Sequence, residues 1–145
     1  MTAEDWIGQT RSVTDTLTPR LAAEFAATFG DMLCPGPAQP GLQWVLAPDI
    51  LPAGDLGRDS HPRLGLVLPD LGLPRRMWAG GSITWHGGIS VGEVVTRETT
   101  VQDVAFKEGR SGRLGFVTLD HRYLVEGSLR VAEVHDIVYR PDPDP

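Results

Sequence analysis

Four long runs of β-forming residues, joined by short turns, constrain the fold of this chain more than any other feature. The runs lie near residues 77–86, 93–107, 114–124 and 129–139 and are rich in Val, Thr, Ile, Phe and Tyr. Such residues favour strands. The connections carry turn residues at 87–88, 108–112 and 126–128. Because parallel strands need crossovers of a dozen residues or more, these short turns predict an antiparallel sheet.

One upstream segment, Pro19–Phe29, carries a clear helical pattern. Thr18 is a favourable N-cap, Pro19 suits the first helical position, and Gly30 can end the helix. Apolar residues recur on one face, which we expect to be buried: Leu21, Ala22, Phe25, Ala26 and Phe29. A short extended or turn-like stretch is expected at residues 6–16. One helix and a long antiparallel sheet predict an α+β fold. Hot-dog, cystatin-like and other ligand-binding cone folds share this element count, and the pattern does not choose among them.

Residues 34–74 form a long segment in which regular structure can only be short. They hold eight of the twelve prolines and six of the seventeen glycines. Segments of this kind are often lids or binding loops. We expect this one to pack on the domain because it has many apolar residues: Trp44, Val45, Leu46, Ile50, Leu51 and residues 66–68. The alternative is a surface connection or a partly disordered segment.

Bulk composition narrows the function classes. A length of 145 residues fits one domain, assigned to residues 1–140, with 141–145 as a linker or free tail. The net charge of −6 argues against nonspecific nucleic-acid binding. No apolar run approaches a membrane span, and no signal peptide opens the chain, so we expect a soluble cytoplasmic protein. Cys34 is the only cysteine, and the histidine spacing does not suit a metal site.

Residues 74–86 combine paired arginines, two tryptophans, a glycine pair and a terminal histidine. This mixture predicts a pocket for a charged or thioester-linked small molecule. Trp78 and Trp85 are seven residues apart, so a regular strand would place them on opposite faces. Gly80 and Gly81 inside a strand indicate close approach of the helix or of a ligand, or a bulge.

The second half resembles the MaoC-like dehydratases, in particular the N-terminal hot-dog half of proteins like mesaconyl-CoA hydratase and hydroxyacyl-thioester dehydratase type 2. The resemblance spans about residues 5–140. It is carried by the segments 74–81, 107–112, 116–118 with His121, and 136–140, and less closely by the loop at 56–62.

The resemblance implies a hot-dog fold, in which a long antiparallel sheet wraps around one central helix. It also implies reversible addition of water across an enoyl thioester, as a hydro-lyase acting on acyl-CoA. Coenzyme A would be part of the substrate, with no permanently bound cofactor. In the family, an Asp or Asn paired with a His enters the helix of a second repeat. The helix Pro19–Phe29 has no histidine. We therefore expect a second hot-dog repeat or partner chain, in a homodimer or heterodimer, to supply the acid–base motif.

Within that framework, the candidate catalytic residues are His86, His61 and Asp59. The candidate substrate or coenzyme A residues are Arg75, Arg76, Trp78, Gly80, Gly81, Lys107 and Arg110, because guanidinium and ammonium groups bind phosphates. His121 and His135 each have an adjacent aspartate that points to the other side of a strand, so a structural role is predicted for both. Two other functions stay open: a non-catalytic thioester-binding or structural partner module, and a cone-like small-molecule carrier.

Overall fold

The computed structural model describes residues 1–35, 39–110 and 112–144. Its main elements are β1 (Thr10–Thr16), α1 (Pro19–Phe29), β2 (Arg75–Trp85), β3 (Val94–Gly109), β4 (Gly112–Val125) and β5 (Ser128–Arg140). Single-turn 3-10 helices lie at Glu4–Trp6, Gly30–Met32, Leu42–Val45 and Ala53–Asp55. The four predicted strands and the α+β prediction are confirmed. None of the helices in these ranges is long and apolar enough to cross a membrane.

All five strands form one antiparallel sheet in the order β1-β3-β4-β5-β2. Tight turns join β3 to β4 and β4 to β5, as the turn residues predict. Ser111 lies outside the described residues. The order leaves β1 and β2 at the two edges, so the tryptophan-rich segment at 74–86 supplies an edge strand.

Helix α1 begins and ends where the sequence predicts. The amide of Leu21 donates to Oγ1 of the N-cap Thr18 at 3.1 Å, and Gly30 ends the helix with a φ of +52°. The predicted burial of its whole apolar face is wrong. Phe25 is buried and Leu21 is half-buried, but Phe29 is 40% exposed. Ala26 is also exposed. The helix contributes Phe25, with the half-buried Leu21 and Ala22, to an apolar cluster at one end of the sheet.

That loop is packed on the sheet, as predicted for its described part. Leu42 and Leu46 join the apolar cluster beneath α1, and Leu68, Leu71 and Leu73 join a second cluster at the opposite end. Some of its apolar side chains stay exposed, namely Trp44, Val45, Ile50 and Leu66. Residues 36–38 lie outside the described part of the chain. We call the covered side of the sheet its inner face.

A row of polar side chains separates the two apolar clusters on the inner face. Strand alternation and the cross-strand register place Arg97, Thr99, His121, Glu133 and His135 on that face. We call these five residues the polar belt. Aliphatic side chains flank it on the same strands, among them Val95, Val101, Leu119, Val131 and Ile137.

A β-bulge in β2 places Trp78 and Trp85 on the same face of the sheet, and not on opposite faces as predicted. The pairing of β2 with β5 shifts between Trp78 and Gly80, so one extra residue enters the edge strand. Trp78 therefore pairs with Ile137 and Trp85 with Val131, two residues of the inner face. The prediction that the tryptophans face opposite sides is wrong, because the bulge changes the parity of the seven-residue spacing.

Candidate functional site

Two adjoining cavities open on the inner face between the loop and the sheet. The first, which we call the belt cavity, has a volume of about 430 Å³ and lies over the polar belt. The second, the loop cavity, has a volume of about 500 Å³ and lies beneath the loop around residues 57–64. Three residues line both cavities: His61, Pro62 and Arg76. The two cavities therefore meet at an imidazole and a guanidinium.

The loop that carries His61 is held by local hydrogen bonds. Asp59 Oδ1 accepts from the backbone amide of His61 at 3.1 Å, and the His61 carbonyl accepts from the amide of Gly57 at 2.7 Å. A β-bridge joins Leu56 to Pro62. His61 Nδ1 lies 3.5 Å from Asp59 Oδ2, so the carboxylate is close enough to orient the imidazole. This arrangement follows from the side chain of Asp59 reaching its own backbone two residues on, which is a common turn-forming contact.

Arg76 and Trp78 are the residues of β2 that line the belt cavity. Within the described ranges Arg76 makes no ion pair, although the guanidinium lies close enough to His135 to disfavour its protonation. The Trp78 ring lies against the His135 ring with centroids 4.7 Å apart. Trp44, from the loop, meets Trp78 edge-on at 5.9 Å. Two indoles thus form an aromatic wall beside an unpaired cation.

The two histidines of the belt are linked to each other and to Thr99. His121 Nδ1 lies 2.8 Å from Thr99 Oγ1, and His121 Nε2 lies 3.5 Å from His135 Nδ1. Burial lowers the pKa of His121 to about 4, with smaller contributions from His135 and Arg97. Burial and Arg76 also lower the pKa of His135. Both imidazoles are therefore neutral at pH 7.

The carboxyl group of Glu133 is buried in the same belt. The Trp44 indole N–H donates to both of its oxygens, at 3.0 and 3.2 Å. Burial raises the pKa of Glu133, and the indole hydrogen bond opposes that shift only in part. This contact also ties the loop to the sheet. Across the part of the chain that is described, no group of three or more His, Cys, Asp or Glu side chains could hold a metal ion.

Arg97 completes the belt at the β3 side. Its Nη2 donates to Asp49 Oδ1 at 3.0 Å, and Arg11 from β1 binds the same oxygen. These two cations together hold the pKa of Asp49 below its usual range, against the effect of burial. The Nε of Arg97 is buried and has no hydrogen-bond partner among the described residues.

The structure brings only part of the predicted site together. Asp59, His61 and Arg76 line the loop cavity, and Trp78 joins His61 and Arg76 at the belt cavity. His86 lies elsewhere, in a cavity of about 360 Å³ beside α1's apolar cluster. The catalytic and binding roles assigned to all these residues stay predictions.

The remaining predicted cations line neither of the two adjoining cavities. Arg75 pairs with Arg140, and Lys107 lies over the Phe116 ring at 5.1 Å, which places both on the outer face. Arg110 lies at the tip of the β3–β4 turn. The glycine pair follows the bulge directly. A Cβ at Gly81 would lie 2.2 Å from a backbone carbonyl oxygen of β5, so the backbone of β5 approaches closely there.

The sequence pattern did not bring His121, Glu133 and His135 together, although all three line the belt cavity. The prediction compared each histidine with its chain neighbour, whereas the relevant neighbours lie across the hairpin. The β4–β5 pairing places His121 opposite Glu133 and Leu119 opposite His135, because its register shifts by one residue between Tyr123 and Leu124. Counting back from the turn at Glu126-Gly127 without that shift would pair His121 with Ala132, so the sequence pattern alone does not place the three polar side chains on one face.

Comparisons with known proteins agree with this architecture. A sequence model of hydroxyacyl-thioester dehydratase type 2 matches residues 41–145. Mesaconyl-C(4)-CoA hydratase from Chloroflexus aurantiacus is 34% identical over 139 residues, covering 93% of this chain and 50% of the relative. The chain thus spans about half the length of that curated relative. The predicted resemblance to dehydratases is confirmed.

Solved structures support the fold. The MaoC-like dehydratase from Rhodospirillum rubrum matches with a TM-score of 0.57 and 19% identity, covering 99% of both chains. The ChsH1–ChsH2 complex from Mycobacterium tuberculosis matches with a TM-score of 0.65 and 17% identity, covering 94% of this chain and 86% of that one. The (R)-hydratase from A. caviae matches with a TM-score of 0.54 and 25% identity, covering 93% and 96%. The hot-dog prediction is confirmed.

Proposed function

Because the chain belongs to the hydroxyacyl-thioester dehydratase type 2 family, we propose that it forms the substrate-shaping hot-dog domain of an enoyl-CoA hydratase or dehydratase. The acyl group would occupy the belt cavity and coenzyme A would pass through the loop cavity. The observation that carries this proposal is that the two cavities meet at His61 and Arg76. An acyl-CoA thioester has a matching arrangement, because the thioester group joins a small acyl group to the large polar coenzyme A.

The residues at the junction suit the reacting end of such a substrate. The unpaired guanidinium of Arg76 can donate hydrogen bonds to the thioester carbonyl or to a phosphate of coenzyme A. His61, oriented by Asp59, can hold or move a proton, as histidine side chains do in general acid–base catalysis. Trp44 and Trp78 can pack against the acyl chain.

We propose that a second hot-dog repeat or partner chain supplies the acid–base motif. Helix α1 carries no histidine. Strand β2 has a free edge, and no charged residue interrupts residues 77–85. An uncharged edge strand of that length is a template for pairing with another strand. The exposed indoles of Trp78 and Trp85, 58% and 50% accessible, lie on this strand and would gain cover from the partner. The unit proposed here is residues 1–140, followed by a linker at 141–145.

A hydration assay with crotonyl-CoA and mesaconyl-CoA tests the proposal. We expect little activity from the chain alone and activity when a hot-dog chain carrying the Asp-to-His motif is added. Arg76→Met and His61→Ala should each lower kcat/KM of the assembled enzyme by about 10-fold or more. His86→Ala is the matched comparison, since it removes an imidazole from a different cavity. Activity of the chain alone that is lost in His86→Ala would contradict the proposed division of labour.

A non-catalytic thioester-binding module is the second candidate, and the histidine-free helix α1 favours it. It predicts saturable binding of both thioesters with no hydration in either preparation. Isothermal titration calorimetry of the same samples separates the two functions, because thioester binding without hydration is expected of a binding module and not of a hydratase.

A further inference from the structure

Tyr139, on β5, lines the loop cavity and buries its hydroxyl group without a hydrogen-bond partner among the described residues. The whole side chain is buried. A hydroxyl group removed from water costs free energy unless it has a hydrogen-bond partner. Phenylalanine would fill the same space without that cost. The hydroxyl group of Tyr139 therefore indicates a partner that a ligand supplies.

The ring of Tyr139 is held by close packing. It belongs to the second apolar cluster, together with Leu71 and Leu73 from the loop. Gly115 pairs with Tyr139 on the neighbouring strand β4, and a Cβ at Gly115 would lie 2.6 Å from Leu71 Cδ1 and 3.2 Å from Leu73 Cδ1. The two leucines thus pack against the backbone beside the ring. Since such cores leave side chains little room, the hydroxyl group stays where the ring places it.

The hydroxyl group lies on the cavity side, near three charged groups. Arg76 is directly opposite Tyr139 in the pairing of β2 with β5, so both side chains are on the inner face. Arg76, Asp59 and Asp70 line the loop cavity and all influence the pKa of Tyr139, which burial raises. Each of the two carboxylates accepts from a backbone amide two residues further along the chain. The hydroxyl group therefore keeps its proton at pH 7 and can donate a hydrogen bond to a ligand.

The charges around the loop cavity favour a neutral acceptor over a phosphate. Of the described residues that line the cavity, five carry a formal charge at pH 7: Arg58, Arg63, Arg76, Asp59 and Asp70. Arg58 is paired with Asp142, and Arg63 is paired with Asp55. With these two partners included, three positive charges are matched by four negative ones. A phosphate would add to the negative excess, whereas a carbonyl oxygen accepts hydrogen bonds without adding charge.

Resting on the proposed function, we propose that Tyr139 and Arg76 form a donor pair that binds an amide carbonyl oxygen of the pantetheine arm of the thioester. A guanidinium has five N–H donors, so Arg76 can bind this oxygen and the thioester together. Tyr139 would be a binding residue that takes no part in proton transfer. The chain would then recognise the carrier by its pantetheine arm, and the nucleotide end of coenzyme A would add little to affinity.

Saturated thioesters test this inference without turnover, because they have no double bond to hydrate. Isothermal titration calorimetry would compare butyryl-pantetheine with butyryl-CoA, on the chain alone and on the chain with the hot-dog partner of the hydration assay. We expect the two affinities of the native chain to agree within about 3-fold. Tyr139→Phe should weaken the binding of both thioesters by about 3- to 10-fold, as for the loss of one neutral hydrogen bond.

Three results of these titrations would count against the inference. Native affinities in Tyr139→Phe would overturn the role of the hydroxyl group and leave the proposed function standing. Butyryl-CoA that binds more than about 10-fold more tightly than butyryl-pantetheine would overturn recognition by the arm, since the nucleotide end would then supply the affinity. Binding of neither thioester by the native proteins would contradict the proposed function and the inference with it.

The second tyrosine of the chain, Tyr123, supplies the matched control. It is also buried on the inner face, but it lines the belt cavity and its hydroxyl group interacts with Arg97. Tyr123→Phe should keep the native affinities, because butyryl thioesters present no polar atom to that hydroxyl group, and should lower the melting temperature. Tyr139→Phe should instead raise the melting temperature of the unliganded chain, because it removes a buried hydroxyl group that has no partner. A lower melting temperature for Tyr139→Phe would overturn the inference, since the hydroxyl group would then have a partner within the chain.

Discussion

Acidification from about pH 7 to about pH 5 should destabilise this protein through His121. Burial in the polar belt lowers the pKa of its imidazole to about 4, with His135 and Arg97 adding to the effect. In the unfolded chain a histidine titrates near its ordinary value of about 6.5. As the pH falls, the unfolded state therefore binds the proton first, and the free energy of unfolding decreases between about pH 6.5 and pH 4.

The size of the effect follows from the two pKa values. A difference of roughly 2.5 pH units corresponds to about 3 kcal/mol once the pH is well below both pKa values. Between about pH 7 and pH 5 the His121 contribution is about 2 kcal/mol, a large share of the stability of an ordinary domain. The lowered pKa of His135 acts in the same direction as the pH falls below the ordinary value of 6.5. Asp49, whose pKa is also lowered, contributes only at more acidic pH, because its ordinary value is 3.8.

Urea unfolding followed by tryptophan fluorescence at several pH values measures this slope. His121→Gln removes the titrating group, so the loss of stability between about pH 7 and pH 5 should shrink by about 2 kcal/mol relative to the native chain. The slope is the readout, because the substitution also changes the contact with Thr99 and so shifts the absolute stability. His86→Gln, at an exposed position, should keep the native slope. An unchanged slope in His121→Gln, or an imidazole NMR titration of His121 near pH 6.5, would refute the reasoning.

Three further substitutions follow from the same structure. Glu133→Gln should raise the free energy of unfolding at pH 7, because burial raises the pKa of this carboxyl group and its ionisation therefore opposes folding. Urea titrations at several pH values should show this gain in stability disappearing below about pH 4.5, where the carboxyl group is protonated in both states. Gly81→Ala should lower the melting temperature much more than Gly80→Ala does. A methyl group at 81 would lie 2.2 Å from a carbonyl oxygen, whereas one at 80 meets nothing within 4 Å. Equal melting temperatures for the two variants would contradict the close backbone approach at Gly81. Leu71→Ala should cost about 2–4 kcal/mol in chemical unfolding if the loop belongs to the core, against less than about 1 kcal/mol for the exposed Leu66→Ala.

Much of the fold could be predicted because its causes are local. The bounds of α1 depend on a capping hydroxyl, a proline and a glycine that act within one turn of the chain. The four long strands depend on runs of β-branched and aromatic residues between glycine turns. The same local rules predicted less well which side chains are buried. The apolar stripe of α1 predicted a buried face, but Phe29 and Ala26 stay exposed.

The candidate site depended on contacts that the local pattern does not contain. Asp59 and His61 could be singled out together because they are two residues apart, and Arg76 and Trp78 because they share a strand. These residues come together at the belt cavity and the loop cavity because a loop of more than thirty residues folds back over the sheet.

By itself, then, the sequence determined the elements, the antiparallel pairing and the relation to dehydratases, since each rests on neighbours in the chain or on ordered motifs. Only the tertiary structure decided which side chains share a face. One extra residue in β2 brought Trp78 and Trp85 to the same side, and the hairpin register placed His121 opposite Glu133. Because a strand alternates with a period of two, a single inserted residue reverses every orientation beyond it.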